Sequence, residues 1–273
     1  MTDAGEIKTL LGVDIIRYRL NKKIYLSQEK YIRKILEKYN MSNCKPISTP
    51  MCSITKLTRS ESKDTTQKLP YRELVGALMY LMIASRPDLA YTMSVLSRYL
   101  DCYNESHWKA IKRTLRYLSG TTNHFLTLGG NTADPNIICF ADADYGGDID
   151  TGKSTSGYVC LLNDGTVSWF SKKQPTVACS TTEAEYISLW ESAKHISWLR
   201  TLISELGYNQ SNPTIINEDN QGCIALTKFN PVLFASRVSK TGLSDFEFLH
   251  EKIKQAIAIY FKSLIILKII FKL

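Results

Sequence analysis

The sequence contains no Cys-x-x-Cys pair, and its seven cysteines are scattered. An odd, unpaired set of this kind argues against a disulfide framework or a zinc site and for a reducing compartment. Histidine is scarce, four in all, and His107, His124 and His195 read as ordinary packed or surface residues. The opening "MTDAGEIKTL" lacks a basic region followed by an apolar run, so no secretory signal is expected. The apolar C-terminal stretch "AIAIYFKSLIILKIIFKL" is broken by Lys262, Lys268 and Lys272 and makes a poor membrane span. What is present is globular composition: 273 residues, 44% hydrophobic and 22% charged, enough for one large or two ordinary domains.

Charge is unevenly placed. Residues 1–130 carry 21 Lys+Arg against 11 Asp+Glu, and residues 131–273 carry 13 against 15. A basic front half suits a polyanion, whereas an acidic rear half facing nucleic acid needs a divalent metal between the two.

The pattern predicts a strand around Leu10–Arg19 and then a helix from about Gln28 with Tyr31, Ile32, Ile35, Leu36 and Tyr39 as its apolar stripe. Residues 42–67, rich in Ser, Thr and Lys with two prolines, read as a linker. Helices follow at Arg72–Ala84, from "SRPD" to Tyr99, and at Ser106–Leu118. On the last, Trp108, Ile111, Leu115 and Leu118 face inward, while Lys109, Lys112, Arg113 and Arg116 form a basic outer face. Solubility alone accounts for such a face; contact with nucleic acid is the sharper reading.

A second unit begins near Asn136. It opens with a strand at Ile137–Ala141, followed by "TSGYVCLL" and "TVSWFS" around an Asn-Asp-Gly turn at 163–165. A long helix from about Thr182 to Leu206 stops at Gly207. A strand at Thr214–Ile216 leads to a short helix. This order indicates a mixed sheet with helices packed on it.

The run "IICFADADYGGDID" (137–150) drives a buried strand into four aspartates, a crowding that either solvent or a cation must relieve. On the long helix, Glu183 and Glu185 both fit capping roles. At about 100° per residue, however, Glu185 falls on the core stripe of Leu189, Ala193, Ile196, Leu199, Ile203 and Leu206, while Glu183 points away. Asp219 precedes a short helix and has an N-cap as its plain reading; Asp142 ends a strand, where a turn aspartate is common. Together these three acids stand at the ends of two strands and the start of a helix. If the two strands are neighbours, these ends converge on one edge of the sheet, and converging carboxylates bind a hard divalent cation of the kind that assists phosphodiester hydrolysis.

The blocks "ADADYGGD", "KSTSGYVCLL", "VSWFSKKQPTVACSTTEAEY" and "DNQGCIAL", in this order, closely resemble the ribonuclease H domain of copia-type retrotransposon Pol polyproteins. "GEIKTLLGVDI", "YRELVGALMYL", "SRPDLAY" and "HWKAIKRTLRYLSGT" resemble the end of the reverse transcriptase and its connection in the same polyproteins. The resemblance spans about residues 4–232. It implies an α/β ribonuclease H-like fold, a mixed five-stranded sheet flanked by helices over 136–250. A mainly helical reverse transcriptase remnant (palm end, thumb and connection) precedes it over 1–130, and a divergent apolar tail occupies 253–273. It also implies Asp142, Glu185 and Asp219 as catalytic metal ligands, with Asp144 as a secondary candidate on the same strand face. The implied cofactor is Mg²⁺ or Mn²⁺, the implied partners are an RNA–DNA hybrid and other parts of a Pol polyprotein, and the implied location is cytoplasmic, in a virus-like particle.

Two departures qualify what is implied. The polymerase's Tyr-x-Asp-Asp motif is missing, and no Asp-Asp pair occurs anywhere, so DNA synthesis by this chain alone is not expected. The family's C-terminal histidine and fourth carboxylate align with Thr241 and Leu243. Asp245, two residues on, serves only if the loop shifts. Weakened activity is the expected consequence.

Overall fold

The computed structural model describes residues 5–52, 57–59, 69–130, 136–229 and 257–261. These fall into two compact units divided between Asn131 and Thr132.

In the first unit, β1 (Thr9–Leu10), β2 (Val13–Tyr18), β3 (Lys23–Ser27) and β4 (Leu126–Leu128) form an antiparallel sheet in that order. The single strand expected over Leu10–Arg19 is in fact a hairpin, with Leu10 paired to Val13. Leu11 and Gly12 turn the chain with φ of 49° and 79°, the left-handed pair that a two-residue hairpin loop requires. The helices are α1 (Glu29–Lys38), α2 (Tyr71–Ala84), α3 (Ala90–Leu96, between two short 3₁₀ turns) and α4 (Glu105–Gly120). Asn104 caps α4 by accepting the N–H groups of Ser106 and His107, while the His107 ring accepts the N–H of Asn104 at 3.1 Å. This reciprocal cap satisfies helix-end donors that would otherwise be orphaned and explains a buried histidine without a metal. The core draws Ile32 and Leu36 from α1, Leu74 and Leu78 from α2, Met93 from α3 and Leu115 from α4.

In the second unit, β5 (Ile137–Asp144), β6 (Thr155–Leu162), β7 (Gly165–Lys173), β8 (Thr214–Glu218) and β9 (Ile257–Phe261) form one mixed sheet, ordered β7-β6-β5-β8-β9. The pairs β5–β6 and β6–β7 are antiparallel, and β5–β8 and β8–β9 are parallel. With α5 (Thr181–Glu205) and α6 (Gln221–Phe229), this is the five-stranded mixed sheet flanked by helices that the resemblance implies. Asn163 and Asp164, with φ of 49° and 64°, make the tight β6–β7 turn read from the sequence. The fifth strand comes from residues 257–261, beyond residue 250 and inside the stretch read as a divergent tail. The α5 stripe packs on Cys139, Ala141 and Cys160 as expected, except for Leu206, which lies past the helix end and is 67% exposed. Among the described residues, no helix is long and apolar enough to cross a membrane.

Candidate active site

The strand expected to end at Ala141 continues to Asp144, and the four aspartates of residues 137–150 go to four different places. Asp148, 4% exposed, accepts from Lys173 Nζ at 2.6 Å and from the Thr151 hydroxyl at 2.6 Å, so it closes the loop after β5. The Asp144 carboxylate packs against Gly147 so closely that a Cβ there would meet Oδ2 at 1.9 Å, so a larger residue would displace the carboxylate. Asp150 is exposed. Asp142 alone of the four joins the acid cluster.

That cluster is built by three elements. Strands β5 and β8 are parallel neighbours with Phe140 opposite Asn217; continuing this register sets Asp142 opposite Asp219. Helix α5 is pinned over the same ends by Ser188. Its hydroxyl lies 2.7 Å from the Asp142 carbonyl and accepts the Gly157 N–H at 3.2 Å. One turn earlier, Glu185 projects from α5, 8% exposed, and its carboxylate accepts the Ala143 N–H. Carboxylate oxygens of Asp142, Glu185 and Asp219 all lie within 4.8 Å of one another. The helical-face argument therefore separates the two glutamates correctly. Glu183 turns back to accept the Cys179 N–H at 2.7 Å, while Ser180 caps the helix through the Glu183 N–H at 3.1 Å. The capping role weighed for Asp219 is taken instead by Asn220, whose Oδ1 accepts the Cys223 N–H at 2.8 Å. Asp144 is not among the three clustered acids, and Asp245 lies outside the described residues.

Sequence reasoning missed Glu218. It is fully buried at the end of β8, with Oε1 accepting the Asn220 N–H at 3.1 Å. The predicted strand stopped at Ile216; extended by two residues, its alternation would have put Glu218 on the face of Thr214 and Ile216. Burial, and then the charges of Glu218, Asp142 and Asp219, push the Glu185 carboxyl far above its ordinary range. Burial, reinforced by Asp219 and Asp142 against the Asn220 N–H, pushes Glu218 up as well. One oxygen of each, Oε2, is buried without a hydrogen-bond partner.

This donor set fits a hard divalent cation. Opposite ligands of octahedral Mg²⁺ lie about 4.2 Å apart, so a 4.8 Å spread needs only small side-chain rotations. Without metal, the folded state holds protons that the unfolded chain releases near the ordinary value of 4.5. The carboxyls' contribution is thus full below that value and is lost as pH rises toward their folded values. His195, whose value burial lowers from 6.5, acts in the opposite sense at lower pH. Urea melts in EDTA should therefore show the second unit losing up to about 1.4 kcal/mol per pH unit for each retained proton between about pH 7 and about pH 8.5. Saturating Mg²⁺ should flatten the dependence; a flat metal-free profile would contradict the shifts.

In the first unit, Lys109, Lys112, Arg113 and Arg116 all line one groove of about 620 Å³, together with Met41 and Met51. The sequence placed all four on an outer face, but the two arginines are half-buried. Arg113 donates to Thr49 Oγ1 at 2.6 Å and Arg116 to the Lys45 carbonyl at 2.8 Å, tying residues 45–49 to α4. Lys109 is exposed, and Lys112 sits 5.8 Å above the Trp108 ring.

No family model matches the chain. It is 44% identical over 234 residues to the retrovirus-related Pol polyprotein from transposon TNT 1-94 of Nicotiana tabacum, covering 84% of this chain and 17% of the relative. It is 39% identical over 250 residues to the corresponding polyprotein from transposon RE2 of Arabidopsis thaliana, covering 91% of this chain and 17% of the relative. A foamy viral protease–reverse transcriptase solved with double-stranded DNA aligns over 93% of this chain and 37% of its own, at 11% identity and a TM-score of 0.47, too low to support an argument from structure. The chain thus spans about a sixth of the length of these two curated relatives. Across most of its own length, the chain is strongly homologous to one segment of the retrovirus-related Pol polyproteins from copia-type transposons.

Proposed function

We propose that the second unit cleaves the RNA strand of an RNA–DNA hybrid, using Asp142, Glu185 and Asp219 to hold divalent metal. The observation that carries this reading is the convergence of three carboxylates from three separate elements, one of them buried with an unpartnered oxygen. Mg²⁺ or Mn²⁺ bound there would supply a Lewis acid and an activated water at neutral pH. The chain's own residues set the approach. Asp219 is exposed and Asp142 half-buried, while Glu185 forms the buried side, so a phosphate backbone enters from the Asp219 side. A duplex held in this way is recognised by backbone, groove shape and 2′-hydroxyls rather than by base edges. With Leu243 at the position of the family's fourth carboxylate, activity is weak in Mg²⁺ and improved in Mn²⁺.

The purified chain, given a labelled hybrid in Mg²⁺ and separately in Mn²⁺, should cleave it, and Asp142→Asn should not. Cleavage that persists in the variant would assign the activity to a contaminant or another site.

The basic groove favours a second reading, a retroelement remnant that binds nucleic acid without cutting it. Lys109→Glu and Lys112→Glu should then weaken hybrid binding whatever the sequence. Each should lower the slope of log affinity against log salt by roughly one. Fluorescence anisotropy across a salt series measures this; an unchanged slope would remove the groove from the binding surface.

A further inference from the structure

We propose that Glu218 is a fourth carboxylate of this site, supplying the negative charge for a second divalent cation beside the one held by Asp142, Glu185 and Asp219. The proposal rests on the metal-dependent reading above and goes beyond the residues assigned by resemblance. In β8 the side chains of Thr214, Ile216 and Glu218 alternate onto one face. Ile216 on that face packs in the same core as Tyr186, Leu189 and Cys223, so Glu218 is directed to the α5 side of the sheet, where Glu185 also lies.

The packing around Glu218 satisfies only one of its two oxygens, Oε1, which accepts the Asn220 N–H at 3.1 Å. Glu218 is fully buried, no ion pair reaches it among the described residues, and its Oε2 has no donor. Its charge acts on Glu185 more strongly than those of Asp142 and Asp219, and it also raises the buried Cys223 thiol. A buried acid that repels its neighbours and leaves one oxygen unpartnered costs stability that an apolar β-branched residue would not. A cation reverses the sign of every one of these interactions, because the unpartnered Oε2 atoms of Glu185 and Glu218 then become ligands or counter-charges. Two-ion sites hold their metals about 3.5–4 Å apart, and two divalent cations before substrate arrives carry more positive charge than Asp142, Glu185 and Asp219 can balance, a deficit that Glu218 reduces. With Leu243 where the family's fourth acid is expected, Glu218 restores the count from another element.

Calorimetric titration of Mn²⁺ into the full chain tests this without relying on activity. The wild type should bind two equivalents, and Glu218→Gln should bind one, with the weaker affinity lowered at least tenfold. Asp142→Asn should lose the tighter ion. Glu218→Thr, which suits a strand, gives a second reading if the glutamine variant folds poorly, and melting curves in EDTA report folding for both. Wild-type stoichiometry and affinities in both variants would overturn the role of Glu218 while leaving the three-acid reading standing. A wild-type chain that takes up no Mn²⁺ would remove both.

Discussion

A chain carrying Glu185→Gln is expected to melt higher than the wild type without divalent metal, to lose the stabilisation by Mg²⁺, and to cleave hybrid at least about a hundredfold more slowly. The three effects share one cause. Glu185 is 8% exposed and lies among Glu218, Asp142 and Asp219, so in the metal-free protein its charge is opposed by burial and by like charges. Glutamine keeps the oxygen that accepts the Ala143 N–H and, like the proton-bearing acid, is uncharged, but it need not take up on folding a proton that the unfolded chain releases, so that cost is removed. Relief of about 1–3 kcal/mol is the usual scale for such a group, or roughly 3–10 °C for a unit of this size. The same change deletes a metal ligand, and losing one preorganised electrostatic group typically costs about 10²–10³ in rate. Scanning calorimetry with and without Mg²⁺, beside the hybrid assay, reads all three. A variant less stable than the wild type in EDTA would mean that Glu185 is a structural acid, with the cluster incidental.

How far the sequence revealed this site depends on which interactions are local. The α5 stripe, the Asn163–Asp164 turn and the split between Glu183 and Glu185 follow from periodicity along single elements, and each is found. Asp142 and Asp219 were identifiable as strand-end acids, but their meeting depends on β5 and β8 being parallel neighbours, which pairing across 70-odd intervening residues decides. Glu218 was hidden for a smaller reason: "NED" after an apolar run looks like a turn, and nothing local shows that β8 continues. Strand β9 was hidden because an apolar, lysine-interrupted stretch has no period that distinguishes an edge strand from a tail. Helical spacing places Arg113 and Arg116 on the outer face of α4, yet it does not reveal that residues 45–49 run back across that face and accept hydrogen bonds from both guanidinium groups.

The least legible feature is also the one whose loss should damage the first unit most. "SRPD" reads as a helix start, and it does begin a 3₁₀ turn at Pro87. But Arg86 is 2% exposed, with its guanidinium fully engaged. Nε and Nη2 donate to the Asp88 carboxylate, Nη2 to it at 2.7 Å, while Nη1 reaches the Thr121 carbonyl at 3.1 Å and Nη2 the Thr121 hydroxyl at 2.8 Å. Tyr117 completes the group, donating to Asp88 Oδ2 at 2.8 Å with its ring 5.5 Å from the guanidinium; burial and the Asp88 charge keep its phenol protonated well above the ordinary range. The network ties the α2–α3 junction to the C-terminal end of α4. Arg86→Ala leaves Asp88 without its counter-charge and Thr121 without its donors, a change that costs about 3–5 kcal/mol for a buried pair. Lysine is a poor substitute, because one ammonium cannot reproduce the planar fork. In urea the first unit of Arg86→Ala should unfold well before the second, and in a double-mutant cycle with Asp88→Asn the two changes should cost clearly less together than the sum of their separate costs. Additive effects would mean that the arginine acts through packing of its aliphatic stem, and the ion pair would then contribute little to holding the helices together.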